Sequence, residues 1–188
     1  MARVLVPLAD GCEELEAVTI IDILRRAGIE VVAAGLKPGP VTASRGVILM
    51  PDATLDEALR QEFDLVALPG GKAGMEGLRA DPRIIALLQR YAAAGRYTAA
   101  ICAAPAVLAQ AGLLAGRRAT SYPGFLDAVE GVDLREDPVV QDDRVITSRG
   151  PGTAMDFALA LVEELAGKDR RREVERALQR PPRHMNFD

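Results

Sequence analysis

Cys102 sits in the run Tyr97-Thr98-Ala99-Ala100-Ile101-Cys102-Ala103-Ala104-Pro105, which reads as a strand running straight into a helix. The β-permissive stretch ends at Ile101, and Pro105 suits a first helical turn, where a missing N–H costs nothing. A sharp strand-to-helix corner crowds the side chains two positions either side of its apex, and here those are Ala100 and Ala104. The spacing is that of a nucleophile elbow written with alanine and cysteine. A thiol on that corner faces free helical N–H groups, whose partial positive charge is expected to favour thiolate and lower the pKa from about 8.5. The same residue reads equally as a buried structural cysteine, since free cysteines are among the most buried residue types.

Glu16 is the second candidate for chemistry. In the helix read over 13–27, steps of four and three put it on one stripe with Ile20, Ile23 and Ala27, an apolar face apart from the carboxylate. Buried there, its pKa would rise by desolvation, and it could hold or exchange a proton as a general acid or base. The other reading is a first-turn glutamate favoured by the helix dipole, a place that Glu13 and Glu14 fill equally well. Gly70-Gly71 ends the apolar run 64–68. A glycine pair at a strand end lets backbone N–H groups approach an oxyanion, and is as readily a tight turn. No Gly-Lys-Ser/Thr ending follows it, which excludes a P-loop. Cys12 could act as a resolving thiol, although a small residue packed in a turn is the plainer reading.

These groups need elements that bring strand ends together. Strands are expected at 3–9, 29–35, 64–68 and 97–101, with a short hairpin or edge strands over 41–44 and 47–50, a hairpin over 139–148 and a strand-like piece at 119–122. Helices are expected at 13–27, 55–60, 82–94, 103–111 and 154–166, the last closed by Gly167 before a further helix over 169–178. The alternation predicts an α/β fold with a mainly parallel sheet, and ligands of such sheets sit at the carboxyl ends of the strands. Asp10-Gly11, Gly70-Gly71 and Cys102 all fall at ends of that kind.

The 188 residues read as a single domain over 1–188 with an irregular tail at 179–188. A chain of this length can bury roughly 70% of its unfolded surface. A net charge of -4 and 4% aromatic residues without Trp speak against a nucleic-acid partner. No signal peptide or long apolar span is visible, so a cytoplasmic protein without a membrane is expected. Two distant cysteines in a reducing compartment argue against a disulfide, and with one histidine they leave a structural zinc site unsupported.

Four motifs occur together and in order. They are Glu13-Glu14-Leu15-Glu16, Leu68-Pro69-Gly70-Gly71, the elbow stretch from Ala99 to Pro105, and Thr147-Ser148-Arg149-Gly150-Pro151-Gly152-Thr153. The set resembles the ThiJ/PfpI superfamily, in the branch of the parkinsonism-associated deglycase (DJ-one) and its bacterial relatives, from Arg3 to about Leu178. The resemblance implies a flavodoxin-like three-layer sandwich that forms homodimers. It implies Cys102 as nucleophile, Glu16 as the carboxyl group hydrogen-bonded to it, and the N–H groups of Gly71 and Ala103 as oxyanion donors. Gly70, Arg26, Arg45, Tyr122 and Pro151 are expected at the pocket or the interface.

The implied activity is glyoxalase chemistry without glutathione, on methylglyoxal-type 2-oxoaldehydes, together with removal of early glycation adducts from protein side chains. No metal or organic cofactor is implied. An oxidative-stress sensor or redox-regulated chaperone using the same cysteine is the alternative. The chain departs from the pattern in having Tyr122 before Pro123, where a histidine is frequent, and Ala103 where the peptidase branch has histidine. Its one histidine, His184, lies in the tail. A cysteine peptidase or amidotransferase thus lacks its base and ranks below carbonyl chemistry.

Overall fold

Apolar runs bounded by turns build the sheet, and the spaces between them hold the helices. The computed structural model describes residues 1–180, so His184 and most of the tail read over 179–188 lie outside the described residues. In chain order the elements are β1 (Arg3–Leu8), α1 (Glu14–Arg26), β2 (Glu30–Gly35), β3 (Val41–Thr42), β4 (Ile48–Leu49), β5 (Ala53–Thr54), α2 (Leu55–Ala58) and β6 (Leu65–Leu68). There follow α3 (Lys72–Ala80), α4 (Pro82–Ala93), β7 (Tyr97–Ile101), α5 (Pro105–Gln110), β8 (Arg118–Ala119), β9 (Asp133–Leu134), β10 (Val139–Asp142), β11 (Val145–Ser148), a 3-10 turn (Pro151–Thr153) and α6 (Ala154–Ala177).

The seven-stranded sheet has the order β10-β11-β7-β6-β1-β2-β5, parallel except for the β10–β11 pair. Its central part, β2-β1-β6-β7-β11, is a flavodoxin-like doubly wound arrangement, with the change of direction between β1 and β6. Right-handed crossovers then place helices on both faces, because connections that step in opposite directions along the sheet cross on opposite sides. Accordingly α1 packs with α6, while α3, α4 and α5 pack with one another. The result is a three-layer sandwich. Strands β6 and β11 are buried along their whole length, as parallel strands covered on both faces must be.

Helix α3 is not foreseen by the sequence reading. Its stretch Lys72-Ala73-Gly74-Met75-Glu76-Gly77-Leu78 carries two glycines, each costing about 1 kcal/mol of helix propensity. The structure explains them. A Cβ on Gly74 would lie 2.6 Å from Cys12 Cα, and one on Gly77 would lie 3.1 Å from Ala9 Cβ, so α3 rests directly on the turn between β1 and α1. The usable signal is the pair Met75 and Leu78, both buried and three apart.

Other boundaries move slightly. The helix expected from Ala103 begins at Pro105, because Ala103 and Ala104 are spent in the corner. The strand expected over 119–122 shrinks to β8, paired in parallel with β9, and the chain turns away before Tyr122-Pro123. At Gly167 the helix breaks with φ 86° and ψ 166°, where the sequence places the stop. Among the described residues no helix is long and apolar enough to cross a membrane.

Candidate active site

Strand β7 delivers Cys102 to the carboxyl end of the sheet between the ends of β6 and β11. Its φ of 64° is in the left-handed region, which a non-glycine residue adopts only when its surroundings enforce it. The Cys102 N–H donates to Ser148 O at 3.0 Å, its carbonyl accepts from the Tyr122 N–H at 2.8 Å, and the Ala104 N–H closes on Ile101 O at 3.0 Å. Ala100 and Ala104 are fully buried against this corner. The residue is 8% exposed, so the thiol is nearly enclosed.

The acidic start of α1 gives each of its three glutamates a different task. Glu13 caps the helix, its carboxylate accepting the Glu16 N–H at 2.7 Å. Glu14 turns outward and accepts from Ser44 Oγ and from the Arg45 N–H, both at 2.8 Å, tying the β3–β4 hairpin to the helix. Glu16 turns inward and is 0% exposed, on the stripe shared with Ile20, Ile23 and Ala27. Its Oε2 accepts the Gly70 N–H at 2.8 Å. Among the described residues, Oε1 accepts no hydrogen bond of good geometry, although it is buried.

Glycine is required at both positions of the pair after β6. A Cβ on Gly70 would stand 2.7 Å from Cys102 Cβ and 2.8 Å from Glu16 Oε2. Gly71 has φ 85°, and a Cβ there would stand 2.3 Å from Gly11 O. The Gly70 carbonyl accepts the Glu13 N–H at 3.0 Å, and Gly71 forms the N-terminal cap of α3. The glycine pair is therefore more than a turn. It lets three chain segments meet at the thiol.

Electrostatics couple the two central side chains. Burial pushes the Glu16 carboxyl up to about 7, partly offset by the Gly70 N–H and by Cys102. Burial and then the Glu16 charge push the Cys102 thiol up to about 12, against the N–H groups of Gly71 and Ala103, which point to the sulfur and favour thiolate. The expected lowering of the thiol pKa is thus overturned in this state. Helical N–H groups do act in the expected direction, but enclosure and a neighbouring carboxylate outweigh them.

The remaining candidates are placed differently. The Tyr122 ring lies over Gly150, where a Cβ would stand 3.3 Å from its Cδ2, and Pro151 opens the 3-10 turn directly after. Arg45 is exposed on the hairpin tied to Glu14. Arg26 is not brought to the pocket. It lies ten residues beyond Glu16 on α1, about 15 Å along the helix, and pairs with Asp22. Cys12 is fully buried beneath α3 and is pushed up to about 12 by burial and then by the charges of Glu14 and Glu13.

Two residues unnamed as site candidates hold the elbow's other flank. Ser148 Oγ and Thr153 Oγ1 lie 2.7 Å apart, and Thr153 Oγ1 also takes the Gly150 N–H at 3.1 Å. They fix the segment whose carbonyl receives the Cys102 N–H. Their signal is two hydroxyl residues five apart around Gly-Pro-Gly. A hollow of about 630 Å³ lies elsewhere, between β10 and α6, lined by residues including Asp156, Glu163, Arg171 and Arg180. Its arginines are already paired with these acids. Among the described residues no group of three or more His, Cys, Asp or Glu side chains could hold a metal ion.

Comparison with known proteins agrees with this fold. Residues 2–164 match the model of the DJ-1/PfpI family. Protein dj-1beta of Drosophila melanogaster is 45% identical over 177 residues, covering 93% of this chain and 95% of that protein. Its crystal structure superposes with a TM-score of 0.91 at 43% identity, covering 94% of this chain and 97% of the other. The glutathione-independent glyoxalase DJR-1.2 of Caenorhabditis elegans is 39% identical, covering 90% of each chain. Protein DJ-1 homolog B of Arabidopsis thaliana is 42% identical over 93% of this chain, which spans 40% of that longer protein.

Proposed function

We propose, for a chain that belongs to the DJ-1/PfpI family, that it is a glutathione-independent glyoxalase of methylglyoxal-type 2-oxoaldehydes, with Cys102 as nucleophile and Glu16 as its proton carrier. The observation that carries this reading is the buried Glu16 carboxyl, tied to Gly70 through one oxygen and set beside the Cys102 thiol with the other unengaged. A carboxyl group that binds its proton near neutrality can take the thiol proton and give it back.

The reaction begins with transfer of the Cys102 proton to Glu16 and attack of sulfur on the aldehyde carbon. A C–S bond forms and the carbonyl π pair moves to oxygen, giving a hemithioacetal. As negative charge leaves sulfur for that oxygen, the Gly71 and Ala103 N–H groups are near enough to follow it. Glu16 returns the thiol proton to that oxygen and, ionised again, takes the proton from the former aldehyde carbon and delivers it to the neighbouring carbon through an enediol. The first carbon is thereby oxidised to a thioester and the second reduced to an alcohol. Water then cleaves the C–S bond, releasing the hydroxy acid and restoring the thiol. Early glycation adducts on protein side chains, being hemithioacetals or aminocarbinols, present the same carbon to the same sulfur. The test is lactate formation from methylglyoxal without glutathione, compared with Cys102→Ala.

A second reading, the redox sensor, has one favouring observation. The groups around the sulfur, Glu16 with the Gly71 and Ala103 N–H groups, are also the donors that a sulfinate would need. Peroxide supplies the oxidant. Selective oxidation of Cys102 by mass spectrometry together with negligible turnover would favour the sensor over the enzyme.

The proposed partner is a second copy of the chain. Leu15 and Val18 on α1 and Val47, Ile48 and Met50 on the hairpin are all about half exposed or more, on two elements that Glu14 ties together. An apolar face of that kind is what a homodimer covers. Arg45, on the same hairpin, would border it. Cytoplasmic residence belongs to the same reading and is supported by the two free cysteines.

A further inference from the structure

Tyr122 is 49% exposed, yet its backbone and ring are both held in place. Its N–H donates to the Cys102 carbonyl at 2.8 Å, and its own carbonyl accepts from Ser121 Oγ at 2.9 Å. One part of the ring lies on the bare backbone of Gly150, close enough that a Cβ there would stand 3.3 Å from Cδ2. Phe125 meets it edge-on, with centroids 6.3 Å apart and planes at 75°. Among the described residues the phenol hydroxyl takes no hydrogen bond, so the ring is not positioned for its oxygen. A clamped aromatic ring with much of its surface open to solvent is a stacking platform without an occupant.

Its position says what could reach it. Gly150 follows the end of β11, and the reactive sulfur stands at the end of the neighbouring strand, β7. The Tyr122 N–H bond to the Cys102 carbonyl makes the two residues direct neighbours at this end of the sheet. Methylglyoxal carries only a methyl group on its ketone carbon, which has no flat face to stack on a ring. A flat ring in place of the methyl group has one.

We infer that Tyr122 is a specificity-determining residue, which makes the site prefer 2-oxoaldehydes whose ketone carbon bears a flat aromatic substituent. The inference rests on the glyoxalase reading above and names the substrate class for it. The chemistry is unchanged: water is added overall, the aldehyde carbon is oxidised to a carboxylate and the ketone carbon is reduced to an alcohol. Phenylglyoxal becomes mandelate as methylglyoxal becomes lactate. Stacking on one ring face is worth roughly three- to tenfold in binding, and it acts before the transition state, so it is read in KM.

The experiment compares phenylglyoxal and methylglyoxal, without glutathione, on wild type, Tyr122→Ala and Tyr122→Phe, with a thermal unfolding curve for each protein. The expected result is that Tyr122→Ala lowers the phenylglyoxal-to-methylglyoxal ratio of kcat/KM about three- to tenfold, through the KM for phenylglyoxal, and that Tyr122→Phe restores the ratio. An unchanged ratio in Tyr122→Ala, including an equal loss on both substrates, would overturn the inference and leave the glyoxalase reading standing. Absence of turnover of both substrates by wild type would overturn both.

Discussion

Gly70 donates its N–H to Glu16 Oε2 across 2.8 Å, so the carboxyl beside Cys102 is anchored to a neighbouring strand end and not to a cation. One neutral hydrogen bond does not compensate for full burial, and the acid therefore holds its proton up to about 7. The site thus has a mobile proton in the physiological range without a histidine.

Glu16→Gln keeps the shape and the bond from Gly70 but cannot exchange a proton. Turnover is expected to fall by about 10²- to 10⁴-fold, while stability changes with the opposite sign. Because the folded-state pKa lies above the unfolded one, the native chain binds the extra proton between about 4.5 and 7, and wild-type stability falls as pH rises through that window. Glutamine is free of this slope. Denaturant unfolding should find the two proteins alike near pH 5 and the variant more stable at pH 8, by up to about 3 kcal/mol. Wild-type kcat/KM should rise through an apparent pKa near 7, and a flat profile would argue against the pair.

Gly70→Ala puts a methyl group between Cys102 and Glu16, at 2.7 and 2.8 Å from them. Overpacking of this kind costs about 1–3 kcal/mol, which the fold can absorb. Activity should drop far more than the folded fraction does, since the two side chains must part to make room. Circular dichroism and turnover on one sample separate the two effects. Wild-type turnover in this variant would show that the close approach is incidental.

Cys12 lies under α3, with Gly74 against its backbone, and acts as a packing residue. Cys12→Ala should keep turnover within about twofold and cost about 1 kcal/mol. After mild peroxide, peptide mapping should find Cys102 modified and Cys12 as the free thiol. A Cys12–Cys102 disulfide peptide would instead make Cys12 a resolving residue.

The proposed dimer face can be broken by charge. Val18→Glu combined with Ile48→Glu places two carboxylates on exposed positions outside the core. Sedimentation should find wild type as a dimer and the double variant as a monomer. A monomeric wild type would remove the proposed partner.

Much of the site is legible in the residue pattern, for reasons that can be named. Cys102 is marked by the alanines that a sharp corner needs, and Glu16 by a carboxylate where α1 should be apolar. The stop at Gly167 is visible because a glycine ends each periodic stretch there. Helix α3 is hidden because Gly74 and Gly77 serve packing against the β1–α1 turn, a tertiary demand that reads locally as a loop. The rise in the Cys102 pKa is hidden for a similar reason: it depends on burial and on the charge of a residue 86 positions away in sequence (102 − 16).

Glyoxalase chemistry at Cys102 is tested most directly by incubating purified protein with methylglyoxal in the absence of glutathione and quantifying lactate. Wild type should form lactate catalytically, and Cys102→Ala, folded to the same extent, should form none above the uncatalysed background. Full lactate formation by Cys102→Ala, or none by wild type, would contradict the assignment.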